Sequence, residues 1–222
     1  MKQTIIVIFS GGLDSTVLLH KLKNEGHEVL ALSIDYGQRH RYELTQAARI
    51  CARLGIEHRT ADLSALKPLL SGSSQTSDDQ PVPHGHYAEE SMKLTVVPNR
   101  NMLMMAVAGA WAISRKAHGI GYAAHAGDHA IYPDCREEFV QALDTALGLA
   151  DWHPVYILRP FMNMTKADIV REGHRLGAPL EMTYSCYEGV PEIHCGKCGT
   201  CVERREAFEI AQVKDFTNYV QT

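Results

Sequence analysis

The sequence predicts an α/β fold, a doubly wound parallel sheet with flanking helices, followed by a small C-terminal lobe that holds zinc. Two observations predict the sheet: strand-like and helix-like segments alternate from the N-terminus, and a Ser-Gly-Gly turn joins the first strand to the first helix. The third observation is that four of the six cysteines fall within sixteen residues near the C-terminus. The 222 residues allow one α/β core plus a small addition. We therefore expect a sheet domain over residues 1–180 and a cysteine-rich lobe with a terminal helix over 181–222.

The N-terminal third has the β-α-β-α-β order that opens such a sheet. Residues 4–9 are a continuous β-branched and aromatic run, which is typical of a strand buried on both faces. Residues 13–24 carry an apolar stripe at helical spacing. The pattern then repeats as a strand over 28–34, a helix over 41–54 and a strand over 57–61. We expect right-handed crossovers between these strands.

A polar interruption separates these elements from the rest. Residues 71–92 are rich in Ser, Pro and Gly, which predicts a long surface loop of the kind that is often functional or disordered. Thr165 is expected to be the N-cap of a helix that runs to Leu176. The other predicted elements are a helix over 99–117, a strand over 119–124, a helix over 135–149, a strand over 155–158 and a terminal helix over 199–212.

Composition and charge limit the class of protein. Hydrophobic residues make up 45% and charged residues 22%, which is ordinary for a globular protein and excludes disorder or coiled coil for the whole chain. The net charge of −4 disfavours a nucleic-acid binder and favours a small-molecule substrate. The apolar stretch from Met102 to Ile113 is too short to span a bilayer, and the first residues do not resemble a signal peptide. We expect a cytoplasmic protein without membrane contact.

The turn from Ser10 to Ser15 is the first candidate site. Gly11 and Gly12 allow backbone N–H groups to turn toward a ligand, and the turn opens a helix whose N-terminus favours an anion. The pattern is neither a Walker loop, because no Lys precedes Ser15, nor the dinucleotide-binding GxGxxG. The alternative is a tight strand–helix turn with a capping Asp or Ser.

The cysteine cluster is the second candidate site. Cys186, Cys195, Cys198 and Cys201 have a spacing that can close a tetrahedral zinc site, and a reducing compartment favours metal binding over disulfides. Zinc would be structural, because it would fix a segment without its own core. An iron–sulfur cluster and unligated thiols remain alternatives. Cys51 is expected to be a buried thiol; a buried or a capping role is open for Cys135.

Two stretches resemble the PP-loop ATP pyrophosphatases. The segment SGGLDS, residues 10–15, is similar to the family signature SGGxDS, and residues 160–169 are similar to a later element that carries a lysine. The resemblance implies an adenine nucleotide alpha hydrolase-like fold. It also implies that Lys166, at a helix start facing the turn, neutralises charge on the leaving pyrophosphate. Replacing Lys166 is expected to cost rate and little stability.

Four further stretches narrow the resemblance to one family. They are DYGQRH at 35–40, VPNRN at 97–101, YPDCR at 132–136 and SCY at 185–187. With SGGLDS and CGKCGTC they are similar, in the same order over nearly the whole chain, to the 7-cyano-7-deazaguanine synthases of the queuosine and archaeosine pathway. The chain departs from that family at Asn99, where Gly is common, and over 125–131, where an acidic, Cys-containing segment is common. No histidine of this stretch is expected to be a catalyst.

The resemblance implies a ligase that forms carbon–nitrogen bonds, using ATP with Mg²⁺. The carboxylate of 7-carboxy-7-deazaguanine would be adenylated, ammonia would give the amide, and a second adenylation would give the nitrile, with AMP and pyrophosphate released. A homodimer is implied as well. Asp134 would accept hydrogen bonds from the deazaguanine ring and Tyr132 would stack on it, while Arg100 would meet the carboxylate or a phosphate. The alternative for residues 132–134 is a turn with an N-cap.

The implied site residues fall into four groups. The catalytic residues are Lys166, Asp14 and Ser15. The ATP-binding residues are Phe9, Ser10, Gly11, Gly12, Leu13, Asp14, Ser15, Thr16, Tyr36, Gly37 and Gln38. The substrate-binding residues are Arg100, Asp128, Tyr132 and Asp134, and the metal ligands are Cys186, Cys195, Cys198 and Cys201.

Three alternative functions remain at this stage. One is a tRNA-modifying PP-loop enzyme that adenylates a base carbonyl, although such an enzyme would be expected to have a basic face. Another is a zinc-stabilised module that binds a nucleotide without catalysis. The third is a family variant that stops at the amide.

Overall fold

The central element is a five-stranded parallel sheet, seen in a computed structural model that describes residues 1–87 and 90–220. The strands are β1 (Thr4–Ile8), β2 (Glu28–Asp35), β3 (Glu57–Asp62), β4 (Gly119–Gly121) and β5 (Tyr156–Leu158). They lie in the order β3-β2-β1-β4-β5, and every neighbouring pair is parallel. The chain therefore reverses its direction of winding between β1 and β4, which confirms the doubly wound sheet.

Within the described residues, six α-helices cover the two faces of the sheet. They are α1 (Leu13–Asn24), α2 (Tyr42–Leu54), α3 (Arg100–Ser114), α4 (Glu137–Leu149), α5 (Lys166–Leu176) and α6 (Gly199–Ala211). Alternation along β1 divides the core: Ile6 and Ile8 pack with α3 and α4, whereas Ile5 and Val7 pack with the other four helices. Both faces are thus buried, which explains the continuous apolar run of the first strand.

Three helix ends follow directly from local sequence. Thr165 caps α5 as predicted: its Oγ1 accepts a hydrogen bond from the Asp168 N–H, and Asp168 Oδ2 accepts one from the Thr165 N–H. Gly55 ends α2 and Gly177 ends α5, both with positive φ. Helix α5 therefore starts with Lys166 at a fixed position.

Other boundaries differ from the predictions because they depend on distant partners. Strand β4 ends at Gly121 rather than 124, since β5 offers only three residues to pair with it. Helix α3 begins at Arg100 because Asn99 has a left-handed backbone (φ +54°), a conformation that Gly and Asn tolerate best. Helix α4 begins at Glu137 rather than 135, because a 3-10 turn occupies Pro133–Cys135.

The predicted surface loop over 71–92 is only partly at the surface. Its residues 73–76 are buried, and their polar groups are satisfied by the main fold. Arg39 N–H donates to the Gln75 carbonyl, and Thr76 Oγ1 donates to the Leu70 carbonyl. A 3-10 helix then spans Glu90–Thr95. The expectation of a wholly exposed loop was wrong because tertiary hydrogen bonds bury a polar turn.

The C-terminal helix returns to the main core. Ala207 and Phe208 of α6 are buried with Ile169 and Val170 of α5. The division at residue 180 stays a prediction. None of the helices in the ranges 1–87 and 90–220 combines the length and apolar character needed to cross a membrane.

Candidate active site and metal centre

A cavity of about 240 Å³ opens at the carboxyl ends of β1, β2 and β4. This is the edge where a doubly wound sheet binds ligands, next to the change in winding direction. The predicted site residues that line it are Phe9, Ser10, Gly12, Leu13, Asp14, Ser15, Tyr36, Gln38, Arg100, Asp128, Tyr132, Lys166 and Cys186. The predicted residues Gly11, Thr16, Gly37 and Asp134 lie outside the lining.

The glycine turn is held tightly at the start of α1. Gly12 is the N-cap, and its N–H donates to Ser10 Oγ, 3.2 Å away. Ser15 Oγ lies 3.2 Å from the same hydroxyl. Gly11 has φ +76°, and a Cβ there would lie 2.7 Å from the backbone nitrogen of Ala47 in α2. The turn therefore combines a close helix contact with a helix N-terminus, which suits a phosphate group.

Lys166 faces this turn, as predicted, across 152 residues of sequence. Its Nζ donates to Asp14 Oδ2 at 2.6 Å and lies 3.3 Å from Glu203 Oε2. Burial would lower the pKa of Lys166, but the two carboxylates outweigh burial and raise it. Burial would raise the pKa of Asp14, but Lys166 and His125 outweigh it and lower that pKa. The ammonium group is therefore charged and held at the turn.

A second layer of polar groups surrounds the lysine. His125 is buried; its Nδ1 lies 3.0 Å from the Gly127 backbone nitrogen, and its Nε2 lies 3.3 Å from Lys166 Nζ. The same Nε2 lies 3.6 Å from Asp128 Oδ1 and 3.9 Å from Glu203 Oε1. Burial raises the pKa of Glu203 despite the nearby Lys166. Three carboxylates, one ammonium and one imidazole thus lie together here, and Asp14, Asp128 and Lys166 of this group line the cavity.

The other side of the cavity is aromatic. Six tyrosines line it, at positions 36, 87, 122, 132, 184 and 187. The Arg100 guanidinium lies 5.9 Å from the centre of the Tyr132 ring, and the Tyr132 hydroxyl is 2.5 Å from Thr95 Oγ1. Tyr87 donates to Asp128 Oδ1 at 3.2 Å. These flat faces and one cation suit a planar, anionic heterocycle.

Asp134 sits just behind this aromatic side. Its Oδ2 accepts a hydrogen bond from the Asn101 N–H at 3.2 Å, in the first turn of α3. The Tyr122 hydroxyl lies 3.4 Å from Cys135 Sγ. Asn101, which binds Asp134, and Cys135, which follows it in the chain, both line the cavity. Asp134 is therefore separated from the cavity by one residue. The carboxylate keeps lone pairs beyond the one that Asn101 uses.

Four cysteine sulfurs form a compact cluster beside the cavity. The ligand atoms of Cys186, Cys195, Cys198 and Cys201 lie within 4.8 Å of one another, with two sulfur pairs at 3.9 Å. Three of these residues are buried and Cys195 is partly exposed. Backbone N–H groups point at the sulfurs: Cys195 N–H lies 3.2 Å from Cys186 Sγ, and Cys198 N–H lies 3.3 Å from Cys195 Sγ. Such donors stabilise thiolates, so the cluster can hold a metal ion.

The lobe that carries these cysteines is tied to the glycine turn. Tyr184 N–H donates to the Gly11 carbonyl at 3.0 Å. Thr200 Oγ1, between two cysteines, donates to the Ser185 carbonyl at 2.7 Å, and Ser185 lines the cavity. The cysteine cluster and the glycine turn are therefore parts of one packed unit.

Three residues in or beside the cavity had no role assigned to them from the sequence. Tyr187 lines the cavity, and Glu203 contacts Lys166 beside it. Both lie close to the cysteines in sequence, one residue after Cys186 and two after Cys201, and that proximity was the available signal. Glu43, which lines the cavity from α2, had no such signal.

The chain is similar to known proteins over nearly its whole length. A family described as "Queuosine biosynthesis protein QueC" matches residues 4–212. A 7-cyano-7-deazaguanine synthase of Pseudoalteromonas translucida is 49% identical over 219 residues, 99% of this chain and 100% of that protein. One from Hahella chejuensis is 52% identical, over 92% and 87% of the two chains. The solved structure of NMN synthetase from Francisella tularensis matches the fold with a TM-score of 0.52 at 16% identity, over 96% of this chain and 78% of that one.

Proposed function

The chain belongs to the family of queuosine biosynthesis protein QueC and is an ATP-dependent ligase with 7-cyano-7-deazaguanine synthase activity; from this premise we propose how its residues carry the reaction. The substrate carboxylate of 7-carboxy-7-deazaguanine attacks the α-phosphate of ATP, and pyrophosphate leaves. Ammonia then displaces AMP to give the amide. A second adenylation, on the amide oxygen, is followed by loss of AMP to give the nitrile.

The phosphate side of the cavity stabilises the leaving pyrophosphate. The N–H groups at the start of α1, with Ser10 and Ser15, would bind its oxygens, and Lys166 would neutralise the charge that develops. The observation that carries the proposal is the contact of Lys166 Nζ with Asp14 at 2.6 Å, because it fixes the cation at the turn. Mg²⁺ would supply further charge neutralisation on the phosphates, and Asp14 is the carboxylate placed to hold it.

The aromatic side takes the deazaguanine ring. Tyr132 would stack on the ring, Arg100 would pair with the 7-carboxylate or the α-phosphate, and Asp134 would accept from the ring N–H and amino groups. Holding the carboxylate in line with the α-phosphate supplies much of the rate. The ATP base and ribose would lie along Tyr36, Gly37 and Gln38 at the end of β2.

The metal of the cysteine cluster is proposed to be one structural zinc ion. Four thiolates at about 2.3 Å from one zinc would place their sulfurs about 3.8 Å apart, close to the 3.9 Å seen for two sulfur pairs. A polynuclear iron–sulfur cluster would hold the four sulfurs farther apart. Zinc would be redox-inert here and would stabilise the lobe.

One incubation tests the reaction. The purified protein is given 7-carboxy-7-deazaguanine, ATP, Mg²⁺ and ammonium, and the deazaguanine products are weighed by mass spectrometry. We expect the nitrile, with two AMP and two pyrophosphate per nitrile. Accumulation of the amide alone would identify a variant that stops halfway, and absence of pyrophosphate would contradict catalysis.

The Asp134→Asn variant tests the deazaguanine site. We expect the new amide oxygen to keep the hydrogen bond from the Asn101 N–H, while the negatively charged acceptor for the deazaguanine is lost. Nitrile formation should fall by about 10²-fold, which corresponds to the loss of one or two charge-assisted hydrogen bonds. The measurement is kcat/KM for the deazaguanine, with metal content and unfolding followed in parallel.

A matched control is Asp144→Asn. Asp144 Oδ1 accepts from the Ile157 N–H at 2.6 Å, a similar backbone contact away from the cavity lining. That variant should keep its kcat/KM. Equal losses of kcat/KM in the two variants would contradict a role for Asp134 in binding the deazaguanine.

We further propose that the enzyme is a cytoplasmic homodimer that acts on small molecules and not on nucleic acid; the homodimer rests on the resemblance alone. The net charge of −4 supports the small-molecule substrate. Light scattering on the purified protein would measure the oligomeric state directly.

A further inference from the structure

Glu43 is a titratable group of the cavity that the roles above leave unused. It stands in the first turn of α2 and lines the cavity. Gln38 Nε2 donates to Glu43 Oε1 at 2.9 Å. Gln38 is itself fixed, because its Oε1 accepts from the Tyr36 N–H at 2.9 Å and its Nε2 reaches the Ile34 carbonyl at 3.3 Å. The Glu43 carboxylate is therefore held in one place by the loop that follows β2.

Glu43 lies between the two halves of the site. Its backbone carbonyl packs against the glycine turn, since a Cβ on Gly11 would lie 2.9 Å from it. Its carboxylate is within electrostatic range of Arg100, from the opposite layer of helices. The substrate's carboxyl carbon, whose oxygen is adenylated, must also lie between the glycine turn and the residues proposed to bind the deazaguanine. Glu43 is thus on the side of the cavity where that carbon reacts.

The surroundings of Glu43 suit proton transfer near neutral pH. Burial, the largest influence, raises its pKa to about 7, against the lowering effects of the Gln38 hydrogen bond and the Arg100 charge. The charge of Asp35, at the end of β2, also raises the pKa of Glu43. Tyr36 is a further titratable neighbour of Glu43. A carboxyl group with such a pKa can accept and return a proton in each cycle.

The reaction needs such a group, because nitrogen loses a proton repeatedly. When ammonia attacks the acyl-adenylate, the C–N bond forms, the C–O bond to AMP breaks with its electron pair, and nitrogen gives up one proton. Adenylation of the amide oxygen releases a second proton from nitrogen. Formation of the C≡N bond with loss of AMP releases a third. Each step balances only if a base takes the proton.

We propose that the Glu43 carboxylate is the base that accepts these protons from the substrate nitrogen, a role that rests on the proposed function. Gln38 acts as its positioning residue, since it orients the accepting carboxylate. The first adenylation involves no nitrogen and does not need Glu43. This separation makes the role testable by half-reactions.

The test compares two half-reactions in the Glu43→Gln variant, which keeps the size of the side chain and an oxygen for Gln38. The first is ATP–pyrophosphate exchange with 7-carboxy-7-deazaguanine and no ammonia. The second is amide formation at fixed free ammonia. We expect exchange near the wild-type rate and amide formation slower by about 10²–10⁴-fold. The wild-type rate of amide formation should rise with pH through a midpoint near 7, and the variant should lack that rise.

Controls separate this role from its alternatives. Glu138→Gln, an exposed glutamate in the first turn of α4, should change neither half-reaction. Loss of exchange and amide formation together in Glu43→Gln would mean a structural role and overturn the proposal, as would amide formation at the wild-type rate. Absence of substrate-dependent exchange in the wild-type protein would instead contradict the proposed function itself.

Discussion

Replacing Lys166 with alanine is expected to slow pyrophosphate release by about 10²–10³-fold, the usual effect of removing one group that stabilises transition-state charge. The charge to be stabilised develops beside the start of α1, where Lys166 Nζ contacts Asp14 Oδ2. ATP–pyrophosphate exchange with the deazaguanine acid measures this step without ammonia. Exchange at the wild-type rate would remove Lys166 from the site.

The structure changes the expected effect of this substitution on stability. Sequence reasoning predicted a large loss in rate with little loss of stability. Lys166 is instead largely buried, with Asp14 on one side and Glu203 on the other. Removing it leaves two carboxylates without their cation, and breaking a buried pair typically costs about 3–5 kcal/mol. Urea unfolding of Lys166→Ala should therefore show a lower free energy of unfolding than the wild-type protein. Water that enters the cavity would solvate the two carboxylates and reduce this loss.

Lys21→Ala is the matched control for the lysine. Lys21 pairs with Glu25, the C-cap residue of α1, and with Glu172 of α5, on a more exposed part of the surface. Its loss should cost no more than about 1 kcal/mol and leave exchange unchanged. A similar loss of exchange in both variants would mean that the effect of Lys166 is not local to the cavity.

The features that the sequence predicted well are those set by neighbours in the chain. The turn from Ser10 to Ser15, the Thr165 cap and the cysteine spacing each involve residues a few positions apart. Their geometry follows from backbone conformation and local hydrogen bonds, so pattern and spacing suffice. The alternation of strands and helices is similarly local, and it predicted the sheet.

The features that the sequence did not reveal depend on packing between distant segments. Glu203 meets Lys166 only because α6 packs on α5, and Glu43 reaches the cavity only because α2 packs on Gly11. Residues 73–76 are buried with backbone partners from Arg39 and Leu94, which lie outside the turn. Nothing in the local pattern of these segments specifies such partners.

Removing one cysteine of the cluster is expected to have the largest effect on stability. Cys198→Ser takes away a buried ligand, and three thiolates would hold zinc more weakly. Zinc contributes about 10–16 kcal/mol to the folding of isolated zinc-finger peptides, which is an upper bound here because α6 also packs on the sheet domain. We expect less than one zinc per chain by elemental analysis and a lower unfolding temperature.

The same change should abolish exchange although Cys198 does not line the cavity. The lobe holds the turn through Tyr184 N–H and Gly11, and it brings Glu203 to Lys166. A disordered lobe would release both contacts, so loss of metal and loss of exchange should follow the same titration with a chelator. Exchange that survives complete removal of the metal would contradict the coupling.

Cys51→Ala provides the control for losing a thiol. Cys51 is buried in α2, away from the other sulfurs, and its removal should cost about 1–2 kcal/mol through lost packing. That variant should keep one zinc per chain and full exchange. Both substitutions remove a buried sulfur, so a difference between the two variants is attributed to loss of the metal ion. Iron rather than zinc in the wild-type protein would contradict the proposed identity of the ion.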